Sequence, residues 1–244
     1  MQSKQAQAII RKTKENYNAI ASEWDISRAQ PSGVKLAALK KIKSGVRILD
    51  LGCGNAFMVP YVLDRGAKYF GIDISGELIK IAKKKSAKEI KNKQVELRVG
   101  GATKLPYKNN FFDGVISFAV MHHIPSEELR LKFLQELWRV MKVGAWATVI
   151  NWNVLNEWPD KRFRISEQLK NPQPGTDAGD VTIPWKATTE KPIQRYLHNF
   201  TKKELLDLAR AAGFKSARAE FYRRDAAREK NGEELVLNLK KSTG

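Results

Sequence analysis

The sequence predicts an α/β fold: a single doubly wound domain whose seven-stranded, mostly parallel sheet carries helices on both faces. Short apolar runs alternate with stretches of helical period, which is the order of repeated β-α-β units. The first apolar run starts at Val46 and ends in the turn Gly52-Cys53-Gly54. With 244 residues, of which 42% are hydrophobic, the chain is long enough to cover such a sheet.

Seven apolar runs are interpreted as strands, and four amphipathic stretches as helices. Ser75, Ser126 and Thr201 stand where a side chain can cap a helix N-terminus. Gly213 is expected to end the last helix. The strands are predicted at 46–52, 68–74, 95–99, 112–118, 145–151, 214–222 and 233–240, and the helices at 57–64, 76–88, 127–141 and 202–212.

The alternation breaks after Asn151. The stretch from Val154 to Pro192 contains five prolines and predicts an inserted, partly irregular lid. Because no repeat and no second core are evident, residues 1–244 are interpreted as one domain. Its segments are the N-terminal helices (1–45), the first part of the sheet (46–151), the insertion (152–200), and a final helix with two strands (201–244).

The chain is basic, since 44 Lys and Arg residues face 26 Asp and Glu residues and give a formal net charge of +18. A field of that sign attracts polyanions such as nucleic acid. The alternative is a lysine-rich surface that serves only solubility or heat stability. Two clusters of charge, Lys80–Lys93 and Lys202–Arg228, favour the first interpretation slightly.

Cys53 is the only cysteine, which excludes an intrachain disulfide and a zinc cage. No metal is predicted. No apolar run is long enough to span a membrane, and the basic N-terminus lacks the pattern of a signal peptide. We therefore expect a protein of the reducing cytoplasm.

The stretch from Asp50 to Asn55, Asp-Leu-Gly-Cys-Gly-Asn, lies between a strand and a helix. Glycines there let the backbone turn sharply and approach a ligand closely. The third glycine of a dinucleotide fingerprint is missing, because Ala56 and Phe57 follow. Asp73 ends the second strand, where a carboxylate can accept hydrogen bonds from both ribose hydroxyls. Both acids could instead only cap turns, but the order of elements favours an adenosine site.

This stretch, together with Gly71-Ile72-Asp73-Ile74-Ser75, resembles the nucleotide-binding half of class I S-adenosylmethionine-dependent methyltransferases, which have a Rossmann-like fold. The resemblance implies that residues 46–151 bind S-adenosylmethionine and that S-adenosylhomocysteine is a product. Gly52 and Gly54 would flank the methionine part, Asp73 would hold the ribose, and Ala119 would lie beneath the sulfonium. The implied cofactor-binding set is Tyr17, Trp24, Asp50, Gly52, Gly54, Asp73, Ile74, Ala102 and Ala119, in which Ala102 meets the adenine and Tyr17 and Trp24 close the site.

Two positions depart from that family. Ala56 stands where a glycine is common, and Gly101 stands where an acid usually contacts the adenine amino group. Either change could weaken cofactor binding. They motivate one alternative, a non-catalytic basic RNA-binding protein with a degenerate pocket.

Three further pieces resemble the tRNA methyltransferases that esterify a carboxymethyl group on the wobble uridine. They are Phe-Ala-Val-Met-His-His-Ile (118–124), Asp-Val-Thr-Ile-Pro-Trp (180–185) and Arg-Tyr-Leu-His-Asn-Phe (195–200). Leu197 replaces the second tyrosine of that family's signature. The partner implied is tRNA, through its anticodon loop. The resemblance to the eukaryotic enzymes of that family suggests a small activating subunit as a second partner, and the sequence alone does not decide whether one is required.

Methylation of a carboxylate requires orientation more than base catalysis, because the oxygen is already anionic near neutral pH. Arg28 and Arg195 are candidates to hold that carboxylate bidentately. The resemblance implies a catalytic set of Arg28, His122, Arg195 and His198, with Trp152, Trp185 and Tyr196 as residues that bind the uracil base.

Structural roles for the same residues stay open at this point. His122 and His123 could form a polar strand end, one satisfied internally and one exposed. Trp185 could pack its own loop, and Arg195 with His198 could hinge the insertion. A small-molecule O- or C-methyltransferase is the second enzymatic alternative, since one fold carries many chemistries.

Overall fold

A computed structural model describes residues 1–27, 30–185, 192–227, 229 and 232–243. Arg28 and Arg228 lie outside this range. The helices are α1 (Ser3–Ala19), α2 (Ala21–Ile26), α3 (Gly33–Leu39), α4 (Val59–Leu63), α5 (Gly76–Lys85), α6 (Ala87–Lys91), α7 (Glu127–Val140), α8 (Glu157–Phe163), α9 (Ile165–Lys170) and α10 (Lys202–Ala211). The strands are β1 (Arg47–Leu51), β2 (Lys68–Asp73), β3 (Val95–Val99), β4 (Phe112–Phe118), β5 (Met141–Trp152), β6 (Asp180–Trp185), β7 (Ile193–His198), β8 (Ser216–Tyr222) and β9 (Glu234–Lys240).

Seven strands form one sheet in the order β3-β2-β1-β4-β5-β9-β8. Strands β1 to β5 are parallel, and β9 runs antiparallel to both β5 and β8. The predicted doubly wound α/β class is confirmed. The chain order reverses between β1 and β4, so a crevice opens beyond the carboxyl ends of these two strands.

Alternating side chains of each strand reach two apolar clusters. Leu49 of β1 belongs to the cluster that α7 and α10 cover, whereas Ile48 belongs to the cluster that α3, α4 and α5 cover. Successive side chains of a strand point to opposite faces of a sheet. The helices therefore bury both faces, and only the strand ends remain for ligand contact.

The predicted helix caps are confirmed. Ser75, Ser126 and Thr201 accept hydrogen bonds from the backbone amides of Leu78, Leu129 and Glu204 respectively. Gly213 follows the end of α10 with a φ of 103°, a conformation that glycine adopts without steric cost.

Two predicted boundaries were wrong. The helix expected over 76–88 is interrupted at Ser86, whose backbone leaves the helical range at φ −104° and ψ 24°. Strand β5 starts at Met141 rather than at residue 145. Phe112 pairs with Met141 and Gly114 pairs with Trp146, so an irregularity around Gly144 (φ 81°) separates two paired stretches of one strand.

The insertion is more ordered than the sequence predicts. It forms α8, α9 and the antiparallel hairpin of β6 and β7, which constitute a second sheet. Val154, Ile165, Val181, Ile183 and Leu197 make a separate apolar cluster there. This third cluster is a small satellite of the two clusters that flank the main sheet.

The two charge clusters differ in how much of their charge is already paired. In the later one, Lys202 pairs with Glu220, and both Lys203 and Arg210 pair with Asp207. Of the six lysines of α5 and α6, all exposed, only Lys80 and Lys85 form ion pairs among the described residues, with Glu77 and Asp25. None of the helices within the described ranges has the length and apolar character that crossing a bilayer demands.

Candidate active site

The turn after β1 requires glycine at two positions. Gly52 and Gly54 have φ values of 78° and 55°. A Cβ on Gly52 would lie 2.1 Å from Cγ2 of Val120, and one on Gly54 would lie 2.8 Å from the indole of Trp24. The amides of Gly52 and Cys53 both donate to the Ile72 carbonyl, at 2.7 and 3.1 Å. The tips of β1 and β2 are therefore fixed side by side.

Asp73 braces this turn from the end of β2. Its Oδ2 accepts from the Gly54 amide and its Oδ1 from the Ser75 amide, both at 2.8 Å. Burial raises the pKa of this carboxyl, and the amide hydrogen bonds oppose the rise. Asp73 therefore caps this turn, as the alternative interpretation of the sequence predicts. Because two carboxylate oxygens offer about four acceptor sites, sites remain for ligand hydroxyls.

Asp50 is a buried carboxyl at the tip of β1. It accepts a 2.6 Å hydrogen bond from the Tyr69 hydroxyl. Burial raises the pKa of Asp50 to about 7, against the effects of Tyr69 and of the ammonium of Lys35. Lys35, on α3, lines a cavity together with Asp50, and its Nζ lies 5.6 Å and 5.9 Å from the ring centroids of Phe57 and Phe118. Lys35 could not be predicted from the sequence, because nothing local distinguishes it from the other lysines of the chain.

One cavity collects every residue of the predicted cofactor set. The N-terminal helices α1 and α2 close it above the strand tips. Its wall also contains His122, Trp152 and Arg195 from the predicted acceptor set, together with residues that were not predicted. The predicted cofactor residues on the wall are Tyr17, Trp24, Asp50, Gly52, Gly54, Asp73, Ile74, Ala102 and Ala119, and the additional ones include Ile10, Thr13, Lys35, Cys53, Met58 and Val120.

The two departures from the family pattern have different structural consequences. Ala56 is buried and has a φ of 57°, a left-handed conformation that disfavours any residue with a Cβ. Gly101 faces open space, since a Cβ there would meet no atom within 4 Å. The structure therefore has room for a longer side chain at 101, whereas the backbone at 56 is strained.

The two histidines are both buried, so the alternative of a polar strand end with one exposed imidazole is wrong. His123 Nδ1 lies 2.8 Å from the Tyr196 carbonyl, which can only accept, so Nδ1 carries the proton. Nε2 of His123 then accepts from the Tyr17 hydroxyl at 2.8 Å. Burial lowers the pKa of His123 to about 4.

His122 has the opposite tautomer. The Trp152 amide donates to its Nδ1 at 3.2 Å, which leaves the proton on Nε2. Burial, with help from the neighbouring His123 and Arg195, holds the pKa of His122 well below its usual value. Both imidazoles are therefore neutral near pH 7. They can donate or accept single hydrogen bonds but add no charge.

Arg195 supplies a buried cation on the cavity wall. Its guanidinium carbon lies 5.3 Å from the Trp152 ring centroid and 4.9 Å from that of Trp185, so two indoles flank it. Among the described residues, Nε of Arg195 has no hydrogen-bond partner although Arg195 is only 6% exposed. A buried charge of this kind normally has an anionic partner.

The Arg-Tyr-x-His piece is divided between two faces of β7. Arg195 faces the cavity, whereas the hydroxyl of Tyr196 donates to Asp180 Oδ1 at 2.6 Å and Nδ1 of His198 lies 2.8 Å from the same oxygen. Alternation along a strand places residues 196 and 198 together and opposite to 195. Neither Tyr196 nor His198 lines the cavity, so the structure does not support base binding by Tyr196 or a catalytic role for His198.

His198 instead joins two carboxylates. Its second nitrogen, Nε2, lies 2.8 Å from Glu204 on α10. Burial alone would lower the pKa of His198, but the hydrogen bonds to Asp180 and Glu204 outweigh it and raise the pKa. Arg130 of α7 adds a 2.9 Å bond to Asp177. This group of charges attaches the hairpin to α7 and α10.

Of the other predicted acceptor residues, Trp185 contacts Arg195 but does not line the cavity, and Arg28 lies outside the described residues.

The stretch of sequence that contributes much of the cavity wall is similar to known proteins. A family model described as a methyltransferase domain matches residues 49–149, which contain the glycine turn, Asp73 and both histidines. This part of the chain is therefore similar to methyltransferase domains. In fold, the chain resembles an S-adenosylmethionine-dependent methyltransferase from Methanosarcina mazei, with a TM-score of 0.65 and 24% identity over 84% of this chain and 96% of that chain.

A second structure of the same fold comes from Haloferax volcanii. It is a complex between the Trm112 methyltransferase activator and a methyltransferase, with a TM-score of 0.67 and 16% identity over 95% of this chain and 98% of that chain. Two curated relatives bear the name tRNA (carboxymethyluridine(34)-5-O)-methyltransferase. The one from Arabidopsis thaliana is 33% identical over 64% of this chain, and the one from Schizosaccharomyces pombe is 29% identical over 81% of this chain. The chain spans 38% of the Arabidopsis protein and 86% of the S. pombe protein.

Ala56→Gly tests the strained turn. Alanine in the left-handed conformation costs about 1–2 kcal/mol, and the substitution removes this cost. Glycine in turn loses more conformational entropy on folding, which costs about 0.5–1 kcal/mol. We expect the free energy of unfolding to be unchanged or to rise by up to about 1 kcal/mol, measured by urea denaturation. The matched control is Ala8→Gly on the exposed side of α1, which should cost about 1 kcal/mol. An equal loss in both variants would contradict strain at residue 56.

His198→Gln tests the attachment of the hairpin. A histidine whose folded pKa is raised adds stability that is complete below its unfolded pKa and is lost as pH rises through the folded value. The difference in unfolding free energy between wild type and His198→Gln should therefore shrink as pH rises above about 6.5. Tyr196→Phe removes another bond to Asp180 without a group that titrates in this range, so its effect should not change with pH. If the difference in unfolding free energy between wild type and His198→Gln stays constant with pH, His198 does not bind both carboxylates as an imidazolium.

Proposed function

We propose that this methyltransferase transfers the methyl group of S-adenosylmethionine to the carboxylate of a carboxymethyl group on the wobble uridine of tRNA. The observation that carries the proposal is Arg195. It places a buried, indole-flanked guanidinium on the wall of the cavity that also contains the glycine turn and Asp73. An anionic acceptor fits this position, because a guanidinium fork binds a carboxylate with two parallel hydrogen bonds.

The residues at the strand tips fit a sulfonium nucleoside. The carboxylate of Asp73 suits ribose hydroxyls, and the narrow glycine turn lets a ligand lie against the backbone. The methionine part of the cofactor carries an ammonium and a carboxylate. The carboxylate of Asp50 suits that ammonium, and the ammonium of Lys35 suits that carboxylate. The cofactor supplies an electrophilic methyl group when bound.

The order of groups along the sheet edge supports methyl transfer between β1 and β5. Asp73 ends β2, Asp50 lies near the end of β1, Ala119 follows β4, and Trp152 ends β5 beside Arg195. Cofactor groups and acceptor groups therefore occupy neighbouring strand ends. A carboxylate held by Arg195 would approach from the β5 side, with Ala119 between it and the nucleoside.

The neutral histidines agree with this chemistry. A carboxylate oxygen forms its bond to the methyl carbon while the carbon–sulfur bond breaks and its electrons stay on sulfur, so no proton moves and no base is needed. His122 can orient the acceptor by donating from Nε2. Trp152, also on the wall, offers a face on which the uracil can stack, which is typically worth about 1–3 kcal/mol.

The surroundings of the site are consistent with a nucleic-acid substrate. The net charge of +18 attracts a polyanion, and an anticodon loop presents unstacked bases that a protein can splay out. The names of the Arabidopsis and S. pombe relatives agree with this substrate. We also propose residues 152–200 as the acceptor-binding segment. The Haloferax complex supports a test of whether a Trm112-type subunit raises activity.

A small-molecule acceptor with a carboxylate is the second candidate, because Arg195 would hold it equally well. Mass spectrometry of nucleosides from carboxymethyl-modified tRNA, before and after incubation with enzyme and cofactor, separates the two. A mass gain of one methyl ester on the modified uridine supports the proposal. Label that appears only in a small organic-soluble product rejects it.

The pH dependence of cofactor binding tests Asp50. Because burial raises the pKa of Asp50 to about 7, its carboxylate is mostly neutral at lower pH and cannot pair with an ammonium. The affinity for S-adenosylhomocysteine, measured by calorimetry, should rise about tenfold between about pH 5.5 and 7, where the ligand's own amino group stays protonated. Asp50→Asn should bind more weakly and without this rise. A flat profile in the wild type would remove Asp50 from the ammonium site.

Arg195→Ala and Asp73→Ala separate the acceptor site from the cofactor site. Loss of a hydrogen bond to a charged group costs about 1.5–3 kcal/mol, so Arg195→Ala should lower kcat/KM for tRNA by about 10- to 150-fold. Its affinity for S-adenosylhomocysteine should stay within about twofold. Asp73→Ala should weaken that affinity, with thermal unfolding checked in both variants. Full tRNA methylation by Arg195→Ala would show that the acceptor assignment is wrong.

A further inference from the structure

Helix α8 presents an aromatic surface to solvent. Of the five large hydrophobic residues that are exposed in the described part of the chain, Trp158 is the only aromatic one, with 64% of its surface exposed. An indole left in water this way forgoes a large gain from burial. Neither the cofactor nor the acceptor role proposed above uses it.

A guanidinium accompanies the exposed indole. Arg162, one helical turn after Trp158, has its Cζ 5.7 Å from the Trp158 ring centroid and 5.6 Å from that of Phe163. The rings of Trp158 and Phe163 meet edge to face, with centroids 5.9 Å apart and an interplanar angle of 89°. The indole therefore has a fixed orientation while most of its surface stays accessible.

The acids around this surface are already engaged. Glu157 pairs with Lys161, and Glu167 pairs with Arg164. Asp160 accepts two hydrogen bonds from Ser166, one from its amide and one from its hydroxyl. No carboxylate lies within ion-pair distance of Arg162 among residues that the structure describes. An anionic ligand could therefore approach Arg162 and Trp158 without displacing a neighbouring acid.

The same structural unit carries this surface and the acceptor side of the cavity. Helix α8 starts shortly after Trp152, which ends β5 and lines the cavity. Phe163 and Trp152 both pack against the apolar cluster of Val154, Ile165 and Leu197. Trp158 and the acceptor side of the cavity therefore belong to one packed segment of the chain.

We infer that Trp158 and Arg162 form a stacking platform for an unpaired nucleotide of the RNA whose modified uridine enters the cavity. The inference rests on the proposed function and extends it to a second contact. A base can stack on the indole, as aromatic platforms in single-strand binders do. Arg162 adds a cation that attracts the phosphate backbone. The net charge of +18 favours RNA over a protein partner as the occupant.

Binding of two RNA probes to the full chain tests the platform. The first probe is a fluorescein-labelled anticodon stem–loop, and the second is a blunt RNA duplex of similar length, both measured by anisotropy. Trp158→Ala should weaken stem–loop binding between about 5-fold and 150-fold, the range expected for one stacked base, and should leave duplex binding within about twofold. Trp158→Phe retains an aromatic face and should lose less than Trp158→Ala.

Val143→Ala is the matched control, because Val143 is an exposed apolar residue near the start of β5, away from the strand ends that form the cavity. It should bind both probes like the wild type. All variants should bind S-adenosylhomocysteine equally, and Trp158→Ala should raise KM for tRNA more than it lowers kcat. Thermal unfolding confirms that each variant is folded.

Several outcomes would overturn the platform. They are unchanged stem–loop binding by Trp158→Ala, an equal loss for stem–loop and duplex, and a change of oligomeric mass in light scattering without a change in RNA binding. The last result would assign the surface to a second copy of this chain. If the wild type binds the stem–loop through Trp158 but methylates no tRNA, the platform stands and the proposed function fails. If it methylates tRNA and Trp158→Ala binds normally, only the platform fails.

Discussion

The hydrogen bond from the Gly54 amide to the Asp73 carboxylate links the tips of β1 and β2. It fixes the glycine turn in a conformation with positive φ, and the Ile72 carbonyl holds the same turn from the other side. The cavity can form only because this turn stays close to the sheet and leaves its outer side to a ligand. The carboxylate that braces the turn also lines the cavity, where we propose that it binds ribose hydroxyls. In that proposal one acid serves both the fold and the site.

Local rules allowed the sheet, the glycine turn and the helix caps to be predicted from the sequence. Glycine spacing, helix-capping serines and apolar runs each depend on residues close together in the chain, so the sharp turn at Gly52, the place of Asp73 at the end of β2 and the cap at Ser126 could be predicted correctly. Lys35 could not, because its place on the cavity wall depends on how α3 packs against the sheet. The same holds for Arg130, whose side-chain partners Asp177 and Tyr196 are 47 and 66 residues away.

The acceptor side shows where a motif can mislead. Arg195, Tyr196 and His198 are close in sequence, and the resemblance suggested one shared site for them. Because the insertion is rich in proline and glycine, its β-hairpin was not predicted from the sequence. In a strand, neighbouring side chains point to opposite faces. Arg195 therefore reaches the cavity, whereas Tyr196 and His198 meet at Asp180. Proximity along the chain is evidence for a shared function only when the local backbone geometry is known.

The hydrogen bonds from Tyr17 through His123 to the Tyr196 carbonyl connect the roof of the cavity with the hairpin that carries Arg195. Three groups in series thus join α1 to the hairpin of β6 and β7. A displacement of α1 relative to this hairpin would break one of the two bonds and leave the buried imidazole of His123 short of a partner, which is costly. A single side chain therefore keeps α1 and the strand of Arg195 in register.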